Sequence, residues 1–505
     1  MLAKTLMIQG TASSVGKSLI TAALCRYFYR LGVKVAPFKA QNMALNSFVT
    51  AEGLEIGRAQ AAQAEACGIE PQVDMNPVLL KCESDQRVQV VVRGKAVESM
   101  TGEAYYGWAE RLRPVIAESL EQLRSRYELV ILEGAGSPAE VNLQSRDLSN
   151  GFAAQLADAP VLLVGDIDRG GVFASLWGTL DLMRPEDRAR VKGLLINKFR
   201  GNLDILKPGL DFLKQKTGLR VLGVLPYLAQ VALAEEDSTA LENPRKSFRD
   251  AVLRIAVIRF PHISNFDDFQ PLEREKSVGL IYAQRPEELT GADLVILPGT
   301  KTTVADLRWL REQGFEPVLQ KRMKDGQPIL GICGGYQMLG KVIEDPYHLE
   351  SKESSVPGLS LLPVTTHFEK EKQTARVEAS VSQNGSFFGP GLKTPLQAYE
   401  IHMGRVQTGK DAKPLFYIRT RNRELVKATE GVVQGDVMGT ILHGLFENEQ
   451  VRAGLLSFLA KRKNMRVSTE SFSKQADYDR LAQLIEVHVD IAGLHRIVGL
   501  EGVLK

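Results

Sequence analysis

Cys333 stands among glycines in Gly331-Ile-Cys333-Gly334-Gly335, after the apolar run Ile329 to Ile332 and before residues of helical character. A cysteine on such a strand-to-helix turn is a nucleophile elbow. Small neighbours relieve crowding, while the helix N-terminus and adjacent amides favour first a thiolate and then an oxyanion. A thiolate attacking an amide needs an acid and base nearby to manage the proton and the departing ammonia. Of seven histidines, His443 has the strand end and following glycine that suit presentation from a sheet edge, in Gly439-Thr-Ile-Leu-His443-Gly444-Leu-Phe446. His402, in Tyr399-Glu-Ile-His402-Met-Gly404, is the alternative, and position alone leaves both open. His262, His348, His367, His488 and His495 read as surface or satisfied core residues, and no close histidine or cysteine cluster has zinc-ligand spacing.

A second reactive constellation opens the chain. Gly10-Thr-Ala-Ser-Ser-Val-Gly16-Lys17-Ser18 lies between an apolar run and a helix-like segment, where backbone amides and a helix N-terminus can surround phosphate oxygens. Lys17 would meet the phosphates and Ser18 a magnesium ion. The loop is one residue longer than the common phosphate-loop spacing, and its context restores the reading. Glu133, in Leu132-Glu133-Gly134-Ala-Gly136, and Asp166 with Asp168, in Gly165-Asp166-Ile-Asp168-Arg169-Gly170-Gly171, follow apolar strands at the sheet edge where ligands gather. Glu133 is the stronger magnesium ligand; Asp166 and Asp168 either serve a substrate or cap the next segment, with Arg169 then at the surface. Lys39, Gln41 and Asn42 concentrate polar groups in a loop suited to carboxylates and amides of a large polar ligand, and Asn197 could contact a nucleotide base.

The elements that must hold these groups are legible as alternating short apolar runs and amphipathic segments, the signature of α/β sheets covered on both faces. Runs at Thr5 to Gln9, Val33 to Ala36, Leu129 to Leu132, Val161 to Val164 and Val191 to Ile196 form one series; Ile255 to Ile258, Leu294 to Leu297 and Ile329 to Ile332 form another. Residues 1–234 are expected to be one domain, 235–250 a polar linker, 251–450 a second domain and 451–505 a mostly helical extension. The 505 residues, 44% hydrophobic, exclude a small stapled scaffold, and 63 basic against 60 acidic residues exclude a dominant field for nucleic acid. Four cysteines without a C-x-x-C pair fit a reducing, cytoplasmic setting. Residues 1–10 read as a buried strand rather than a leader, and no run approaches the roughly 18 apolar residues of a membrane span.

Together these motifs closely resemble the cobyric acid synthase family, glutamine-dependent amidotransferases of cobalamin biosynthesis, over essentially the whole chain. The first domain is similar to dethiobiotin-synthetase-like ATP domains in the loop ending Gly16-Lys17-Ser18, in Pro37-Phe-Lys39-Ala-Gln41-Asn42-Met43 and in Glu133-Gly-Ala-Gly136-Ser-Pro138-Ala-Glu140. The second is similar to class I glutamine amidotransferases in its cysteine elbow and in His443-Gly-Leu-Phe446. The resemblance implies Cys333 as nucleophile with His443, rather than His402, as its partner. It also implies ATP and Mg2+, with glutamine and a corrinoid as substrates. The implied reaction is four amidations, at the b, d, e and g carboxylates of adenosylcobyrinic acid a,c-diamide, giving adenosylcobyric acid. One departure matters: members of the wider class carry H-x-E, whereas Leu445 stands two beyond His443, so the group that orients the ring is open and nearby Glu447 is no substitute. The competing expectations are the related cobyrinic acid a,c-diamide synthase and a phosphate-loop partitioning ATPase, the latter disfavoured by Cys333.

Overall fold

The computed structural model describes residues 2–84, 87–228, 248, 251–382, 386–388 and 395–501; the expected linker 235–250, apart from Phe248, lies outside them. The chain divides into two units that are not contiguous in sequence: residues 1–44, 56–234 and 473–505 form one, and 45–55 with 235–472 form the other.

In the first unit, strand Lys4–Gly10 lies between Leu129–Glu133 and Val161–Asp166, all parallel. The sheet continues through Val191–Phe199 to Val221–Pro226 on one side and to Val35–Phe38 on the other. Burial on both faces explains the near-continuous apolar strands. Register pairs Ile8 with Glu133, Gly10 with Val164 and Asp166 with Asn197, so the chemistry-bearing residues share the carboxyl edge. Helix Lys17–Arg30 leaves that edge, burying Ile20, Leu24 and Phe28 at four-residue spacing. The stretch expected as an ordered loop contains a short strand, Gln41–Met43, paired with Val78–Ser84 in a small separate sheet.

The tail corrects the simple division. Helix Glu449–Arg462 stays with the second unit, where Arg452 reaches buried Glu275 at 3.0 Å. Helix Lys474–His488 returns to the first, burying Tyr478, Leu481, Ala482 and Ile485 beside Phe28 and Cys67. Its apolar residues recur at i, i+3, i+4 and i+7, a stripe that must be covered; Leu481 and Ile485 alone are worth about 1.5–3 kcal/mol each on burial. Composition registers the stripe without indicating which core receives it.

The second unit carries a parallel set ordered Val278–Ala283, Leu253–Ile258, Leu294–Leu297, Ile329–Ile332 and Val437–Thr440, continued by the antiparallel strands Glu424–Gln434, Lys413–Arg421 and Val364–Val381. Ile332 is in register with Thr440. The chain ends leading to Cys333 and to His443 therefore emerge side by side.

Candidate functional site

At the phosphate loop, Gly16 has φ of 100° and opens helix Lys17–Arg30; a Cβ there would collide with the Asn197 amide. Asn197 donates from Nδ2 to the Val15 carbonyl at 2.8 Å, so it fixes the loop backbone. Lys17 is buried and donates from Nζ to the carbonyls of Ala12 at 2.8 Å and Gly136 at 3.0 Å, lying across the loop from its own helix start. Ser18 Oγ donates to Glu133 Oε1 at 2.8 Å, Lys39 Nζ sits 2.8 Å from the same oxygen, and Gln63 Nε2 donates to Oε2 at 2.5 Å. Burial would raise the Glu133 carboxyl, but Lys39, Gln63 and Ser18 outweigh it and hold the pKa below the ordinary carboxylate value. The hydroxyl of Ser18 and an ionised carboxylate, adjacent at the helix start, are the hard oxygen donors magnesium prefers.

Three other expectations land differently. Lys39, expected on the substrate, belongs to the Glu133 network. Asn42 is buried and donates to Gln60 at 3.0 Å, whereas Gln41 is half-buried and accepts from Tyr105 at 2.5 Å. Asp166 Oδ1 accepts from the Asp168 amide at 2.9 Å and Oδ2 pairs with Lys198 at 2.8 Å; Asp168 pairs with Arg200 at 2.9 Å, and Arg169 is exposed. Lys198 in turn donates to the Ser14 carbonyl at 2.7 Å. Asp166 therefore braces the phosphate loop through Lys198, a role different from the cap of the next segment weighed for it, since helix Val172–Leu182 starts at Gly171 without a side-chain cap.

At the elbow, Cys333 adopts φ 50° and ψ −112° and immediately precedes helix Gly334–Leu339. A side chain at 335 would strike the Leu297 carbonyl, which is why the turn needs glycine there. The Cys333 amide donates to the Thr440 carbonyl at 2.8 Å, and Sγ lies 3.4 Å from the Ile401 carbonyl. His443 is 2% exposed and lies near enough to Cys333 for the sulfur to act on its charge. Its Nδ1 lies 2.7 Å from Asp268 Oδ2, while Asp268 Oδ1 accepts from the Gly444 amide at 2.7 Å. Desolvation disfavours a charged ring here, but the Asp268 carboxylate and the Cys333 sulfur push the His443 pKa up to about 10. Tyr399 stacks on the imidazole, with ring centroids 5.4 Å apart and planes at 18°, and the two residues exchange backbone hydrogen bonds.

Asp268 supplies the orienting carboxylate that the sequence left open. It stands on the turn Phe266–Phe269, far upstream of the histidine, so no H-x-E spacing signals it; the acidic pair Asp267-Asp268 soon after strand Leu253–Ile258 was the available hint. Glu447 is exposed and His443 buried, which disqualifies Glu447 from that role. His402 turns Nδ1 to the Gly404 carbonyl at 2.7 Å, and burial, the largest influence, lowers its pKa. The remaining histidines include satisfied structural groups: His262 pairs with Asp306 at 2.9 Å, His367 with Glu344 at 2.6 Å, and His495 lies 2.8 Å from the Tyr27 hydroxyl.

Two family models between them match most of the chain. Residues 6–241 match the model of the CobQ/CobB/MinD/ParA nucleotide binding domain, and residues 254–451 that of the CobB/CobQ-like glutamine amidotransferase domain. The chain is 51% identical to the cobyric acid synthase of Sorangium cellulosum, over 99% of this chain and all of that one. It is 45% identical to that of Dehalococcoides mccartyi, over 99% and 100%, and 46% identical to that of Desulforamulus reducens, over 99% of each.

Proposed function

We infer the reaction from kinship: this chain belongs to the cobyric acid synthase family, and it is an ATP-dependent glutamine amidotransferase that amidates cobyrinic acid a,c-diamide to give cobyric acid. The observation that carries this reading is the 51% identity spanning the phosphate loop and the cysteine elbow alike.

Two chemical obstacles define the division of labour. A carboxylate is a poor electrophile, and ammonia is mostly protonated near neutral pH. For the first, we assign Lys17 and the loop amides to stabilising γ-phosphoryl transfer from ATP to a peripheral carboxylate, making an acyl phosphate with a good leaving group. Magnesium, held by Ser18 and Glu133, would supply charge neutralisation on the phosphates. For the second, Cys333 attacks the glutamine side-chain amide, a glutamyl thioester forms, and ammonia leaves with a proton from His443. Asp268, on the far nitrogen of the ring, keeps Nε2 directed at sulfur and steadies the imidazolium. Water then hydrolyses the thioester. Repetition at four carboxylates, b, d, e and g, completes the product. The four free thiols, Cys25, Cys67, Cys82 and Cys333, and helices none of which, among the described residues, is long and apolar enough to cross a membrane support a cytoplasmic setting.

Mass spectrometry of products formed with ATP, the a,c-diamide and glutamine labelled with heavy nitrogen in its side chain checks this. Four labelled amides are expected; one addition, or preference for the unamidated acid, would reassign the chain to the a,c-diamide synthase reaction.

A further inference from the structure

Residues 45–55 leave the unit to which their sequence neighbours belong and pack within the amidotransferase unit. The excursion is densely anchored for a connection. It closes on itself through the Thr50 amide to the Leu54 carbonyl at 2.8 Å and the Gly53 amide to the Thr50 carbonyl at 3.0 Å. Thr374 Oγ1 donates to the Gly53 carbonyl at 2.6 Å, and buried Glu55 pairs with Lys372 at 2.5 Å. Loops normally run over the surface because buried backbone groups need partners. Here the partners lead to the glutamine-cleaving residues.

The leading half of the excursion touches the neighbours of each triad member. The Asn46 side chain accepts from the Phe266 amide at 3.3 Å, and Asn265 Nδ2 donates to the Ser47 carbonyl at 2.8 Å; these residues begin the turn bearing Asp268. The same Asn265 amide reaches the Tyr399 hydroxyl at 2.9 Å, and Tyr399 stacks on His443. Phe48 meets the Tyr399 ring edge-on at 5.3 Å, while Val49 packs with Tyr399 and Ile401, whose carbonyl lies beside Cys333 Sγ.

The two arms that continue from this excursion are cross-tied in the other unit. Asn42 on one arm bonds Gln60 on the other. Asn76 accepts from the Gly57 amide at 3.2 Å and donates to the Lys39 carbonyl at 3.1 Å. Glu133 joins Lys39 to Gln63. A phosphate competing for Lys39 would alter the last of these ties, and a chain segment anchored at both ends carries that change along its length. Such coupling requires an element whose arrangement both sites bias.

We propose that Asn46 and Phe48 are positioning residues for the Cys333–His443–Asp268 triad, and that segment 45–55 is the element through which ligand at the phosphate site sets glutamine cleavage. This deepens the assigned function and rests on it.

The full-length protein tests it in three measurements: glutaminase rate with and without ATP plus the a,c-diamide, alkylation rate of Cys333 by iodoacetamide under the same conditions, and amidation supported by ammonium salts. In the unaltered protein, ATP plus diamide should raise the glutaminase rate and change the alkylation rate. Phe48→Ala, and Thr374→Val as a milder loosening of the anchor, should cut that ligand response about tenfold through kcat, with KM for glutamine nearly unchanged and ammonium-supported amidation retained. Phe48→Tyr should restore the response. A ligand response left intact in both variants, parallel loss of the ammonium reaction in both, or no response in the unaltered protein overturns the proposal. Absence of ammonium-supported amidation in the unaltered protein counts instead against the assigned function, so the two failures are distinguishable.

Discussion

The two reactive sites solve the problem of buried charge in opposite ways. Around Glu133 the charges and donors satisfy one another: Lys39, Ser18 and Gln63 converge on one carboxylate, so an incoming phosphate or cation must exchange partners with groups already paired. Around Cys333 the charges lie side by side, Asp268 on His443 and His443 near the sulfur, whose one side-chain bond among the described residues is the 3.4 Å contact with the Ile401 carbonyl. A site that must be rearranged by its ligand suits a reaction gated by a large substrate. A prearranged site suits a small substrate such as glutamine, and its activity then needs restraint or stimulation from elsewhere.

The largest test of this contrast is a pair of replacements. Cys333→Ser should depress glutamine-supported amidation by roughly 10⁴-fold or more while ammonium-supported amidation persists, because only nitrogen release is removed. Lys17→Ala should depress both by about 10²–10³-fold. A Cys333→Ser enzyme equally dead with ammonium, or a Lys17→Ala enzyme unaffected with it, would erase the division.

Asp268→Asn sharpens the other half. Without the carboxylate the imidazolium loses its main counter-charge, so the His443 pKa should fall from about 10 toward its ordinary value. The imidazolium would then be lost at lower pH, moving the alkaline limb of the glutaminase profile toward neutrality, with kcat down about 10³-fold. The ammonium reaction should not move. An unshifted limb would mean that Asp268 only packs.

The smallest expected effect concerns Glu430, which accepts from Thr440 Oγ1 at 2.5 Å and the Ile441 amide at 2.8 Å and so steadies the strand end that presents His443. Burial raises its pKa from 4.5 to about 7. The folded state therefore holds the proton more tightly than the unfolded chain, and stability declines as pH rises from about 4.5 through 7. Glu430→Gln should flatten that decline, worth about 1–3 kcal/mol, in urea midpoints compared at pH 5 and pH 8. Identical slopes would remove Glu430 from the pH account.

Much of this was legible because it is local in sequence. The loop ending Gly16-Lys17-Ser18 and the elbow at Cys333 each need a particular residue at a particular turn, and backbone sterics write that need into adjacent positions. Glu133 followed from its strand, since parallel register fixes which residues reach the carboxyl edge. Asp268 did not, because its pairing with His443 spans 175 positions and no periodicity encodes it. Lys39 was read as a substrate contact from loop polarity, whereas its nearest demand was a buried carboxylate. The excursion at 45–55 was invisible for the same reason: Asn46 and the short strand Ser47–Val49 carry no local signal, and the partners of Asn46 and Ser47 lie more than two hundred positions away.

The returning helix Lys474–His488 bears on how the chain is made. Arg26 meets Asp479 across 453 positions at 2.8 Å, and the apolar face of helix Lys17–Arg30 is covered by residues made that much later in synthesis. At about 5–20 residues per second, that face waits roughly 20–90 s during translation before its cover arrives. Nascent chains stalled short of residue 473 should therefore be clients for chaperones that hold exposed apolar surface.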